Sequence, residues 1–178
     1  MKTSLIFLGA ILCLGSYSQS QSVGRRETPY EHWLIEDAAY IITDHEAAQY
    51  TFLKTDADRN QFITEFWLRR DPTPGTVVNE YKEEHYRRLA YANEHFAEGK
   101  PGWKTDRGRI YIVDGPPDHV IHRQLATGEQ AEDWIWDGPA PNRQVLFENI
   151  TQQSARRITF IDNCKCGHFQ LQSNVTDK

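Results

Sequence analysis

The chain has 178 residues, a formal net charge of −5 and a quarter of its residues charged. That is long enough for one domain with a real core. A mildly acidic balance without basic clusters argues against nucleic acid and anionic membranes as partners.

Residues 1–18 stand apart. Lys2 gives a short positive region, Leu5 to Leu14 an apolar run, and Ser16-Tyr17-Ser18 small residues suited to cleavage. This is the pattern of a secretory signal cleaved near Ser18, too short for a membrane span. Nothing else in the sequence is apolar enough to cross a bilayer. Cys13 follows the bulky Leu12, where a lipidation site usually has a small residue, so a lipoprotein is not expected. Residues 19–28 read as a polar, flexible leader, 29–173 as a single domain and 174–178 as a tail. Export places the chain in a secreted or periplasmic setting, where disulfides persist.

Helices come first. Tyr30, Trp33, Leu34, Asp37, Ala38 and Ile41 recur at helical spacing behind Pro29. Thr43-Asp44-His45-Glu46 has the form of a capping box and opens a second helix ending near Leu53. Thr55 to Asp58 marks a third start. Phe62, Ile63, Phe66 and Trp67 give an amphipathic helix over about 56–70, stopped by Asp71-Pro72-Thr73-Pro74-Gly75. Val78, Tyr81, His85, Leu89, Ala92 and Phe96 predict a long helix over 78–97, closed near Gly99. Glu83 with Arg87 and Glu84 with Arg88 are spaced as helical ion pairs. His85 lies in the apolar stripe, where a core histidine bonded to a carbonyl or carboxylate competes with a general base facing a cleft.

The chain then changes character at Pro101-Gly102-Trp103-Lys104-Thr105-Asp106. Gly102 suits a turn needing positive φ, Trp103 brings a large apolar body with one N–H, and Thr105 and Asp106 can accept bonds from backbone N–H groups just ahead. Arg109 to Val113 reads as a strand by alternation, ended by Asp114-Gly115-Pro116-Pro117-Asp118. Two roles compete for Asp106, Arg107, Arg109, Asp114 and Asp118. One is a polar clamp, with an arginine joining the helical and strand layers through a carboxylate. The other is a cleft where carboxylates act as acid and base or an arginine holds an anion, with Trp103, Asp106, Arg107 and Arg109 as binding residues.

The Gly102 to Asp106 run, the block Phe66 to Gly75, and the block Glu84 to Arg88 with Tyr91-Ala92-Asn93 resemble the GWxTD domain family. The resemblance is strong over about 30–118 and looser beyond. It implies a bacterial origin and supplies no established activity.

Downstream, short strands are expected. His119 to Arg123 is one, Leu125 to Ala131 a loop, Trp134-Ile135-Trp136 and Val145-Leu146-Phe147 hairpin partners, and Arg157 to Ile161 with His168 to Gln172 a last hairpin. The fold class is therefore α+β, an N-terminal helical layer packed on a small C-terminal antiparallel sheet. Cys164, Cys166 and His168 alternate along an extended chain and could offer a metal two thiolates and an imidazole. No fourth ligand is evident and the spacing is not that of a common zinc site, so neither metal nor cofactor is expected.

No phosphate-cradling loop, nucleophile elbow or His-Glu-x-x-His helix occurs. The expectation is a secreted or periplasmic non-catalytic domain that binds a protein or cell-envelope partner. The alternative is a hydrolase working through Asp106 or Asp118 with His85.

Overall fold

The computed structural model describes residues 28–137, 156–162 and 169–171. Within them the chain is α+β, with helices first and an antiparallel sheet after. The signal, residues 19–27 of the leader and the tail, with Cys13, Cys164, Cys166 and His168, lie outside the described residues; Thr28, expected in the flexible leader, is instead the cap of the first helix.

Helix starts are written in threonine and asparagine. Thr28 caps α1 (Pro29–His32) in a full capping box with Glu31, and Thr43 does the same with Glu46 for α2 (Asp44–Phe52). Thr55 caps α3 (Asp56–Leu68), and Asn79 caps α4 (Glu80–His95). Each oxygen satisfies one of the N–H groups that a helix leaves open at its start. The segment after α1 departs from the single helix expected from Pro29. It becomes a π-helical turn over Trp33–Asp37, closed by the Ala38 N–H donating to the Trp33 carbonyl at 2.8 Å. Trp33, Ala38, Ile41, Tyr50, Phe66, Trp67 and Tyr81 bury one core between these elements.

The sheet has the order β1-β2-β3-β4, all antiparallel, with β1 at His119–Gln124, β2 at Gln130–Trp136, β3 at Arg156–Asp162 and β4 at Gln170–Leu171. Trp134, Trp136, Ile158 and Phe160 turn one face onto Leu89 and Ala92 of α4, onto Phe96 that caps it, and onto Ile110 and Ile112. Tyr86 packs against both cores and joins them.

The structure corrects several expectations. Arg109 to Val113 is no strand but part of α5 (Asp106–Asp114). Ile110, Tyr111 and Ile112 are buried in an unbroken row, so the partly exposed face of Asp106, Arg109 and Val113 is too thinly marked to set a helical period apart from the alternation of a strand. The expected loop at Leu125 to Ala131 is a tight turn, with β2 beginning at Gln130. Gly128 (φ +86°) donates to the Leu125 carbonyl and Leu125 to the Glu129 carbonyl, both at 2.9 Å, the pattern of a type I turn closed by a glycine bulge. Residues 145–147, the expected partner of Trp134 to Trp136, lie outside the described residues. The two sides of Trp134 to Trp136 are taken by β1 and by Arg156 to Ile158. The last hairpin does form between β3 and β4. Arg87 and Arg88 both turn to Glu84, at 2.7 Å each.

Candidate functional site

The signature turn is built by close backbone contact. Gly102 opens a 3-10 turn, Gly102–Lys104, and does not have the positive φ expected of it. A Cβ there would sit 1.8 Å from the Ala92 carbonyl oxygen of α4, so glycine is required by proximity. Gly108 meets the same constraint, since its Cβ would lie 1.9 Å from the Gly102 carbonyl oxygen. Thr105, fully buried, ties the two together. Its hydroxyl donates to the Gly102 carbonyl at 2.7 Å and accepts from the Gly108 N–H at 3.0 Å, capping α5.

Two further bonds latch the turn to the helical layer. The Trp103 N–H donates to Asn93 Oδ1 at 3.0 Å, and the Tyr40 hydroxyl donates to the Trp103 carbonyl at 2.9 Å. The Trp103 ring is buried, edge-on to Tyr40, with the Lys104 ammonium 4.8 Å from its centre. Asp106 sits in the first turn of α5, where a carboxylate complements the helix dipole. Its oxygen lies 3.9 Å from Arg109, and both side chains are 39% exposed.

Arg107 bridges the layers. Its guanidinium pairs with Glu98 and lies 3.5 Å from Glu132 on β2, between the rings of Phe96 and Phe169. Glu132 also accepts from the Trp134 indole N–H at 2.5 Å. At the other end of α5, buried Asp114 accepts from Arg156 on β3 at 2.6 Å. Arg88 lies against the last turn of the helix, near the Ile112 and Val113 carbonyls.

His85 is buried beside Trp67 and Tyr86, and its Nε2–H donates to the Asp37 carbonyl at 2.6 Å. Burial holds its pKa down to about 4, against the pull of that bond and with Arg88 and Arg70 assisting. Asp118 is exposed before β1, where it accepts from the Asp137 N–H at 2.8 Å. His85, Asp106 and Asp118 thus occupy a core helix, the start of α5 and the entry to β1.

The π-helical turn gathers groups that sequence reasoning did not single out. His32 stands between two carboxylates, Nε2 at 3.3 Å from Glu36 and Nδ1 at 3.5 Å from Asp37. Tyr86 donates to Asp37 at 3.0 Å and Asn93 to Glu36 at 3.3 Å. Burial raises the Asp37 carboxyl against the opposing bond from Tyr86 and the charge of His32. Asp37 was legible only as an interruption of the apolar helical stripe. A π turn leaves no periodic mark to explain such an interruption. Two open hollows, of about 460 and 470 Å³, are lined by residues including Tyr30, Tyr50 and Arg59, and by Val77, Val78, Lys82 and Tyr86. Neither is lined by His85, Asp106 or Asp118.

A capped turn of this kind, locked by Gly102, Trp103, Thr105 and Gly108 between a helical layer and an antiparallel sheet, defines an α+β domain organised around its motif. Residues 26–160 match the GWxTD domain family, and the chain belongs to it. Neither the comparison with curated proteins nor that with solved structures gives a match.

Proposed function

We propose that this chain is a secreted or periplasmic, non-catalytic domain that binds a protein or another component of the cell envelope. The observation that carries the reading is where the signature side chains go. Gly102, Trp103, Thr105 and Gly108 are all buried in the junction between the layers, while large apolar side chains stand at the surface instead. Leu68 and Val77 are more than half exposed, with Val78, Val120 and Ile121 close behind. Exposed apolar residues of this kind suit contact with a partner. The segment from Lys2 to Ser18 supports export.

The test uses the mature chain, immobilised and offered envelope and secreted fractions of the source cells. A component retained above an unrelated exported control supports the reading, and none retained defeats it. Mass spectrometry of the exported protein is expected to give an N-terminus at Gln19. An uncleaved chain in the cytoplasmic fraction would remove the localisation.

A second reading, a hydrolase with an acid–base carboxylate, has one observation in its favour. Burial raises the Asp37 carboxyl, against the Tyr86 hydroxyl and the neighbouring His32, which both act to lower it, and a half-buried carboxyl among polar partners is the setting in which acid–base groups are tuned. This moves the candidate acid away from Asp106 and Asp118. Hydrolysis of an ester, glycoside or peptide panel that Asp37→Asn abolishes would establish it. Equal turnover by Asp37→Asn would end it.

A further inference from the structure

Among the described residues β1 ends the sheet, and all six of its residues, His119 to Gln124, are exposed. Its register with β2 runs unbroken from His119↔Ile135 to Gln124↔Gln130, and the Asp118 N–H donates to the Ile135 carbonyl as well, just before the strand. Leu125 bonds to Glu129 across the turn, so bonded and non-bonded pairs alternate from there. Arg123, Ile121 and His119 bond toward β2, which leaves the N–H and C=O groups of Val120, His122 and Gln124 pointing outward. Natural edges are usually blunted by charged side chains, proline, a bulge or a covering loop; β1 has neither lysine nor proline, and its one permanent charge, Arg123, is turned to Asp133.

We propose that β1 takes up an extended, acidic polypeptide segment of a partner as an added antiparallel strand. The inference rests on the partner-binding reading above and names its docking mode. Backbone pairing supplies affinity in such additions and alternate side chains supply specificity. The chemistry of β1 selects the occupant. Its ionisable side chains, His119, His122 and Arg123, are all basic, in a chain of net charge −5. They keep exposure after pairing with Asp137, Glu132 and Asp133, at 60%, 70% and 43% of their side chains. Val120 and Ile121, each 45% exposed, offer apolar contact on opposite faces. A second copy fits less well. The longest two-fold registers of β1 on itself set His122 against His122, or Arg123 against His119, so neither brings an opposite charge across the pair.

The experiment selects a displayed library of random linear peptides on the mature protein. Peptides alternating carboxylates with β-branched residues are expected. When one binds, the amides of Val120 and His122 should gain exchange protection of at least about tenfold. His122→Pro removes one outward N–H without taking a bond from the β1–β2 ladder, and should weaken capture by at least about tenfold. Val120→Glu leaves the backbone intact, adds a repelling carboxylate and should act in the same direction. Absence of enrichment, enrichment of basic peptides, or capture unchanged in both variants overturns the proposal. A dimer dissolved by His122→Pro also overturns it, in favour of a second copy. Retention of an envelope component that both variants leave intact would sink the edge-strand mode while preserving the binding reading. No retention by the unmodified chain would sink the binding reading itself.

Discussion

At the residue scale, the motif divides into atoms that cannot be moved and atoms that can. Gly102 faces a backbone carbonyl, which has no rotamer to yield, so Gly102→Ala is expected to cost about 3 kcal/mol or more in urea unfolding. A loss under about 1 kcal/mol would mean that α4 and the turn can separate freely. Thr105→Val keeps the shape but removes both bonds of a buried hydroxyl, leaving the Gly108 N–H unsatisfied. It should cost about 1–3 kcal/mol. Asp106→Asn changes a half-exposed group in a helix's first turn and should cost no more than about 1 kcal/mol. If Asp106→Asn proved the costlier of the two, Asp106 and not Thr105 would be the clamp. The motif's letters therefore carry unequal weight: the glycine and the threonine hold the junction, while the aspartate stays within reach of solvent.

At the element scale, starts were more legible than periods. The threonine starts at Thr43 and Thr55, the stop after Leu68 and the long stripe of α4 are local chemistry, and local chemistry is what a sequence displays, although the capping box at Thr28 was hidden in what reads as leader. α5 was not legible as a helix because Ile110-Tyr111-Ile112-Val113 is a β-prone run whose helical state depends on neighbours distant in sequence. Thr105 was visible as a bond acceptor without revealing that the bonds cap a helix. The Arg107 bridge could be expected as an arginine joining the layers, but not its partners Glu98 and Glu132, since pairing across layers has no sequence period. His32, Glu36 and Asp37 escaped for the related reason that a π turn imitates an α-helix until its hydrogen bonds are drawn. The end of α5 gives a further prediction. Gly115 has φ +82°, and a Cβ there would come within 2.8 Å of the Arg88 guanidinium. Gly115→Ala should lower stability by about 1–3 kcal/mol. Pairing it with Arg88→Met, which removes the obstructing guanidinium, should recover part of the steric loss in a double-mutant cycle. Strict additivity would place the cost in φ alone.

At the scale of the whole molecule, the two cores share Tyr86, and α5 is tied to the sheet at both ends, so a single cooperative transition is expected. The acid limb of its stability curve has a definite sign. Folded His85 resists the proton that the unfolded chain accepts near 6.5. Stability should therefore fall as pH drops from about 6.5 toward 4, with His85 alone contributing about 3 kcal/mol. Glu46 has its carboxyl raised by burial, an effect overcome by Arg70, the Thr43 N–H and Arg69, which leave it at about 2, and it adds loss in the same direction below 4.5. Asp37, with its raised carboxyl, works against both. Denaturant midpoints measured across that range, with His85→Gln flattening the upper part of the curve, would check the assignment; an unchanged slope would reject it. The alkaline side has an optical consequence. Burial raises the phenols of Tyr40, Tyr50, Tyr81 and Tyr86, with Tyr50 and Tyr81 reaching about 12. These rings should stay dark in the tyrosinate band well above the pH at which a free phenol ionises, then change absorbance together when the fold gives way. The native protein would thus report its own alkaline unfolding, with no label attached.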